Sequence, residues 1–251
     1  MPQLVFPGAL PSPRYPTDRV FSAAAAPLPA SLETRWMAGP MPPALDQGIT
    51  PQCTSYAAAL ARSYLARRQP SDPAPVFDEG WLYGRQKLID GLPGVQGSTL
   101  RAALTVMREQ GIRTVGATDE ATWKIADFGP VPLDYGEIRA AIRQFGVVLW
   151  AGVWKWSWLN PVPPNYEVPA PWEPAADTPP GHAIVFFGYD DRKLAGAPSA
   201  GSLAFQTSWG NGYGRQGRGY IPAAYVGLPG ESYEAWWMTD MVSTGSWSVA
   251  P

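Results

Sequence analysis

Leu45-Asp46-Gln47-Gly48-Ile49-Thr50-Pro51-Gln52-Cys53 runs directly into Thr54-Ser55-Tyr56-Ala57-Ala58-Ala59-Leu60-Ala61-Arg62. Glycine and proline mark the first stretch as a loop. The second is rich in alanine, and Ala57, Leu60 and Tyr64 recur at helical spacing, so a helix is expected over Cys53–Arg67. A thiol in the first turn of a helix feels the positive end of its dipole, which favours the thiolate.

Cys53 is the single cysteine of the 251-residue chain, and His182 is the single histidine. One cysteine forms no internal disulfide, and one Cys with one His builds no Cys/His zinc site. Any chemistry that needs imidazole must use His182. Net charge is −2, with no long basic run, so no nucleic-acid partner is expected. No apolar window approaches the ~20 residues of a membrane span. The first residues show no secretion signal. These readings call for no metal, no organic cofactor and no membrane, and for a cytoplasmic or virion-associated protein.

Other helices are expected over Asp78–Leu88, Ser98–Gln110 and Tyr135–Phe145, the last two stopped by Gly111 and Gly146. Apolar, β-rich runs follow at Val147–Trp154, Ala183–Tyr189, Leu203–Thr207, Gly219–Ile221 and Tyr233–Val242. Helices first and strands later give an α+β class with two unlike halves packed together. Asn160–Pro180 holds eight prolines and reads as a long loop. Residues 1–27 are a proline-rich extended arm, expected either to lie along the body or to dock on a neighbouring subunit. Residues 28–242 form the main domain and 243–251 a tail.

His182 stands in Gly181-His182-Ala183-Ile184-Val185, at the mouth of a buried strand. Downstream come Thr207-Ser208-Trp209-Gly210 and Gly219-Tyr220. With the Gln47-to-Cys53 spacing, these residues resemble the papain-like cysteine peptidases. Leu28-Pro29-Ala30-Ser31-Leu32 is similar to the start of the family's mature domain. Trp81-Leu82-Tyr83 and Gly97-Ser98-Thr99-Leu100-Arg101 are similar to its disulfide-free bacterial branch. The resemblance spans about Leu28 to Val242.

It implies a papain-like fold, with a helical half carrying the nucleophile helix against an antiparallel sheet or barrel half. It implies a hydrolase that cuts peptide bonds through a thioester acyl-enzyme. Cys53 is then the nucleophile. His182 is the base, paired with the thiolate. Gln47 and the Cys53 N–H form the oxyanion hole. Thr207 takes the place of the family's orienting Asn. Trp209 covers the imidazole. Gly97 and Ser98 are candidates to pair with substrate backbone, and Ser98 is equally a candidate helix N-cap.

The departures carry expectations too. A Thr hydroxyl can accept from the imidazole but is shorter and stiffer than Asn, so reduced or more pH-sensitive activity is expected. Some 27 residues precede the domain, too few for the family's folded prodomain, so no inhibitory prodomain is expected. Peptidoglycan cross-bridges are a candidate substrate if the protein rides in a phage virion. The alternative is a catalytically weakened papain-fold component of an assembly such as a virion. Trp154, Trp156 and Trp158 alternate as on one strand face, for core packing rather than sugar stacking. Asp190-Asp191 reads as a solvated turn rather than a metal site.

Overall fold

The computed structural model describes residues 8–23, 27–32, 41–68, 75–117, 123–159, 166, 168, 181–192 and 201–241. Its elements in chain order are β1 (Ala9–Leu10), β2 (Ser31–Leu32), α1 (Cys53–Arg67), α2 (Glu79–Lys87), β3 (Ser98–Thr99), α3 (Leu100–Glu109), β4 (Ile125–Val131), α4 (Tyr135–Phe145), β5 (Val148–Val153), a 3-10 turn (Trp156–Leu159), β6 (Gly181–Asp190), β7 (Ser202–Gln206), β8 (Arg218–Pro222), α5 (Ala223–Val226) and β9 (Ser232–Asp240). The architecture is α+β.

One nine-stranded sheet runs β3-β1-β6-β5-β9-β4. β2 and β7 also pair with β6, and β8 pairs with β7. All these pairings are antiparallel except β1 with β3. The central strands are buried on both faces, as their continuous apolar runs require. Leu149, Ala151, Ala183 and Val185 face the core under α1 and α3. Val148, Trp150, Ile184 and Phe186 face a second core with α4.

Helix α1 is the pivot of the first core. Ala57, Ala58, Ala59 and Ala61 are buried, and their small side chains let α1 lie close to β6. Arg62 on α1 is buried and pairs with buried Asp240 at 3.0 Å, which ties the helix to the end of β9. Asp78 caps α2 by accepting from Trp81 N, and Asp134 caps α4 by accepting from Glu137 N. Gly146 ends α4 at φ 90°, a left-handed position that suits glycine.

Four expectations need correction. Ser98 is not a helix cap: it lies in β3, and Thr99 caps α3 by accepting from Ala102 N. Trp154, Trp156 and Trp158 do not share a strand, since β5 ends at Val153 and the chain turns into the 3-10 segment. Trp154 and Trp158 are nonetheless core residues, fully buried and in edge contact at 5.2 Å. Asp190 and Asp191 are not a solvated turn. Asp190 is buried against Arg192, and Asp191 pairs with Arg139 at 2.8 Å and accepts from Tyr135 Oη. The strand β4, which the sequence reading omits, pairs with β9 along most of its length.

The expected loop Asn160–Pro180 lies outside the described residues apart from Tyr166 and Val168, as do Val242 and the tail 243–251. No helix among the described residues is long and apolar enough to cross a membrane. No group of three or more His, Cys, Asp or Glu side chains there is placed to hold a metal.

Candidate active site

Cys53 is the first residue of α1, and His182 is the second residue of β6. The two elements pack against each other, and Cys53 shares the first core with Ala183, the neighbour of His182. The fold therefore brings the only thiol and the only imidazole to one seam between the helical half and the sheet.

His182 is held on three sides. Its Nε2 lies 2.8 Å from Thr207 Oγ1. Thr207 follows the end of β7, the antiparallel neighbour of β6, so strand pairing sets this distance. Trp209 stacks on the ring at 4.3 Å between centroids and 20° between planes. Trp154 meets it edge-on at 5.1 Å. Nδ1 is buried and has no hydrogen-bond partner among the described residues.

Gln47 is buried beside this group. Its Nε2 donates to Thr50 O at 2.6 Å, and its Oε1 accepts from Ser208 Oγ. Gln47 N also donates to Ser208 O at 2.8 Å. An amide NH₂ has two donors. With one spent on Thr50, the other remains for an oxyanion. Ser208 fixes which end of the amide is nitrogen, a role the sequence reading does not assign. Behind Cys53, Gln86 Nε2 donates to Thr54 Oγ1 at 3.2 Å.

Ser98 pairs with an extended backbone, and it is the chain's own, whereas Gly97 N donates to Tyr83 Oη at 3.1 Å and Gly97 O accepts from Lys87 Nζ at 3.1 Å. Ser98 N donates to Gly8 O at 2.8 Å. Ala9 pairs with Ser98 on one side and with Gly181 on the other. Gly8 N donates to Cys53 Sγ at 3.3 Å. The described part of the N-terminal arm thus lies on its own domain, across the seam that holds Cys53 and His182. No sequence signal marks this, because a Pro-Gly-Ala-Leu-Pro segment has no pattern that names its docking site.

Burial sets the ionisation of the pair. The thiol is pushed up to about 11 by desolvation, partly offset by the backbone N–H groups of Gly8, Ala183, Thr54 and Cys53 itself. The imidazole is pushed down to about 3 by desolvation alone. Both groups are therefore neutral at pH 7 in this state. The thiolate–imidazolium pair expected from the sequence is not the form that this burial favours.

Neither a family model nor a curated protein matches the sequence. The fold does match solved structures. Xylellain, a cysteine protease from Xylella fastidiosa, superposes with a TM-score of 0.77 at 19% identity, over 94% of this chain and 96% of that one. The cysteine protease and lectin-like domains of Cwp84 from Clostridium difficile give 0.71 at 16%, over 93% and 55%. Digestive procathepsin L 3 of the Tenebrio molitor larval midgut gives 0.69 at 16%, over 95% and 74%. The chain has the fold of papain-like cysteine proteases.

Proposed function

We propose that this protein is a cysteine peptidase with Cys53 as nucleophile and His182 as general base and acid. The observation that carries the reading is the Thr207 hydroxyl at 2.8 Å from His182 Nε2, with Nδ1 unpartnered. A hydrogen on Nε2, donated to Thr207, leaves Nδ1 with its lone pair free to take the thiol proton.

The Cys53 thiolate attacks a peptide carbonyl carbon, and the C=O electron pair moves onto oxygen. Gln47 Nε2–H and the Cys53 N–H stabilise that oxyanion. The tetrahedral intermediate collapses, the C–N bond breaks, and imidazolium His182 protonates the leaving amine. Water, deprotonated by His182, then attacks the thioester, and the acid and free thiol are released. Thr207 and Trp209 position the ring and do not touch the reacting atoms.

The substrate class is a peptide. Peptidoglycan cross-bridge peptides are a narrower class to be assayed beside ordinary peptides. The alternative, a weakened papain-fold binding component, is less favoured, because Thr207 lies within hydrogen-bond reach of the imidazole and leaves the positioning function in place.

The test is cleavage of a mixed peptide library and of cross-bridge peptides, read by mass spectrometry, with the wild type, Cys53→Ala and His182→Ala. Cleavage lost in both variants, with single addition of an epoxysuccinyl-peptide inhibitor at Cys53, is the expected result. Equal cleavage by Cys53→Ala overturns the assignment.

A further inference from the structure

We propose that Lys87 is a positioning residue for substrate: through the Gly97–Ser98 amide it aims the N–H on which an extended peptide docks. That a peptide substrate docks there rests on the peptidase reading. That Lys87 aims the amide does not.

Lys87 is the last residue of α2, and the segment 88–97 wraps around its ammonium. Nζ donates to Asp90 Oδ2 at 2.7 Å, Leu92 O at 3.0 Å, Val95 O at 3.1 Å and Gly97 O at 3.1 Å. Three N–H donors thus serve four oxygens, much as a bound cation gathers carbonyls. The Asp90 side chain is 0% exposed, and it also accepts from Leu92 N and Ser98 Oγ. Gly91, Gly94 and Gly97 take φ of 70°, 75° and 89°, left-handed turns that let separate carbonyls face one centre. No strand or helix covers 88–97, so its shape depends on these bonds. Tyr83, one turn earlier on the same face of α2, accepts from Gly97 N at 3.1 Å.

Gly97 C=O and Ser98 N–H share one peptide plane and point opposite ways across it. Lys87 holds the oxygen end. The nitrogen end donates to Gly8 O at 2.8 Å, a carbonyl of the extended backbone with which β3 pairs. A Cβ on Gly97 would stand 2.1 Å from that same oxygen, so a paired backbone runs in direct contact with this amide. Lys87 therefore acts twice on any carbonyl docked at Ser98. It fixes the direction of the N–H, and its charge polarises the C=O, which strengthens the N–H as a donor. Its partners named above do not include Cys53, His182 or Gln47. Its loss weakens ground state and transition state alike, which raises KM and leaves kcat in place.

Peptide cleavage is to be measured for the wild type, Lys87→Met, and Lys87→Ala with and without methylammonium, with amide hydrogen exchange at Ser98 in the same proteins. Lys87→Met should raise KM about two- to tenfold, the worth of one hydrogen bond, with kcat changed less than about twofold, and Ser98 should exchange faster. Methylammonium should restore KM and slow exchange in Lys87→Ala and do nothing for Lys87→Met, whose side chain fills the space. An unchanged KM, a loss carried by kcat, or an absence of rescue overturns the proposal. If the wild type cuts no peptide, the peptidase reading falls and exchange alone decides on Lys87. Faster exchange at Ser98 in Lys87→Met, reversed by methylammonium in Lys87→Ala, then upholds the aiming of the amide, and unchanged exchange overturns it. If one variant does not fold by circular dichroism, the other decides. If neither folds, Lys87 is a folding residue and the proposal is overturned.

Discussion

The Thr207 hydroxyl oxygen lies 2.8 Å from Nε2 of His182, and both side chains are buried. A hydroxyl here can do what an amide carbonyl does, because paired β6 and β7 bring the two residues together without a long side chain to bridge them. Once the imidazole takes a proton, this contact becomes a hydrogen bond to a charged group. Such bonds contribute about 1.5–3 kcal/mol, or roughly 10- to 150-fold in rate. Thr207→Val, which keeps the shape and removes the acceptor, should lose about that much kcat/KM against a peptide substrate. Thr207→Ser should keep most of it. Both are to be measured across pH, where the valine variant should also shift the titration of His182 in the rate profile.

Gln47 makes a separate prediction. With one amide hydrogen on Thr50 O and its carbonyl held by Ser208, the free hydrogen is fixed in direction before substrate arrives. Loss of one preorganised oxyanion donor costs about 10²–10³ in kcat. Gln47→Ala should fall in that range with KM little changed. Ser208→Ala should produce a smaller loss of the same kind, because it frees the amide to flip. Steady-state kinetics on the two variants separates these outcomes.

The covered site also makes stability depend on pH. His182 is held neutral, with its pKa lowered to about 3 from an ordinary 6.5. A lowered folded-state value means that the unfolded chain binds the proton first. His182 therefore contributes full stability above pH 6.5 and loses it as pH falls from 6.5 toward 3, by about 1.4 kcal/mol per pH unit. Cys53 works at the other end. Its value is raised from 9.0 to about 11, so its contribution is present below pH 9 and is lost as pH rises from 9 to 11. Urea unfolding from pH 4 to 10 should show a plateau between about 6.5 and 9. His182→Gln should flatten the acid limb, and Cys53→Ala the alkaline one.

How far these features could be read from sequence depends on where their cause lies. The bounds of α1 are legible to the residue, because alanine content and the i, i+3, i+4 pattern are local. The α4 bounds follow in the same way from its apolar stripe and Gly146. The central strands are legible as apolar runs, since burial on both faces removes polar residues. The two-residue strands β1, β2 and β3 are not legible, because their partners lie tens of residues away and nothing within them is periodic. Thr99 rather than Ser98 caps α3 because Ser98 is drawn into pairing with the arm, a tertiary cause. The turn at Trp156 breaks an alternation that would otherwise read as strand. The helix dipole at the head of α1 predicts a thiolate, and burial of Cys53, a tertiary cause, outweighs it.

The Arg62–Asp240 pair carries a prediction on stability rather than activity. Both side chains are under 5% exposed at 3.0 Å separation, and Arg62 also lies 5.2 Å from the Trp123 ring. Burial pushes the Arg62 pKa down, and Asp240 opposes that shift. Removing the carboxylate strands a guanidinium in the core, which typically costs about 3–5 kcal/mol. Replacing both partners by apolar residues of similar size is often neutral. Asp240→Ala should therefore unfold at markedly lower urea, whereas Arg62→Met/Asp240→Leu should recover most of the loss. A double variant as unstable as the single one would mean that the pair does more than neutralise itself. The ends of α1 and β9 would then depend on its geometry, and the position of Cys53 at the head of the same helix would depend on it as well.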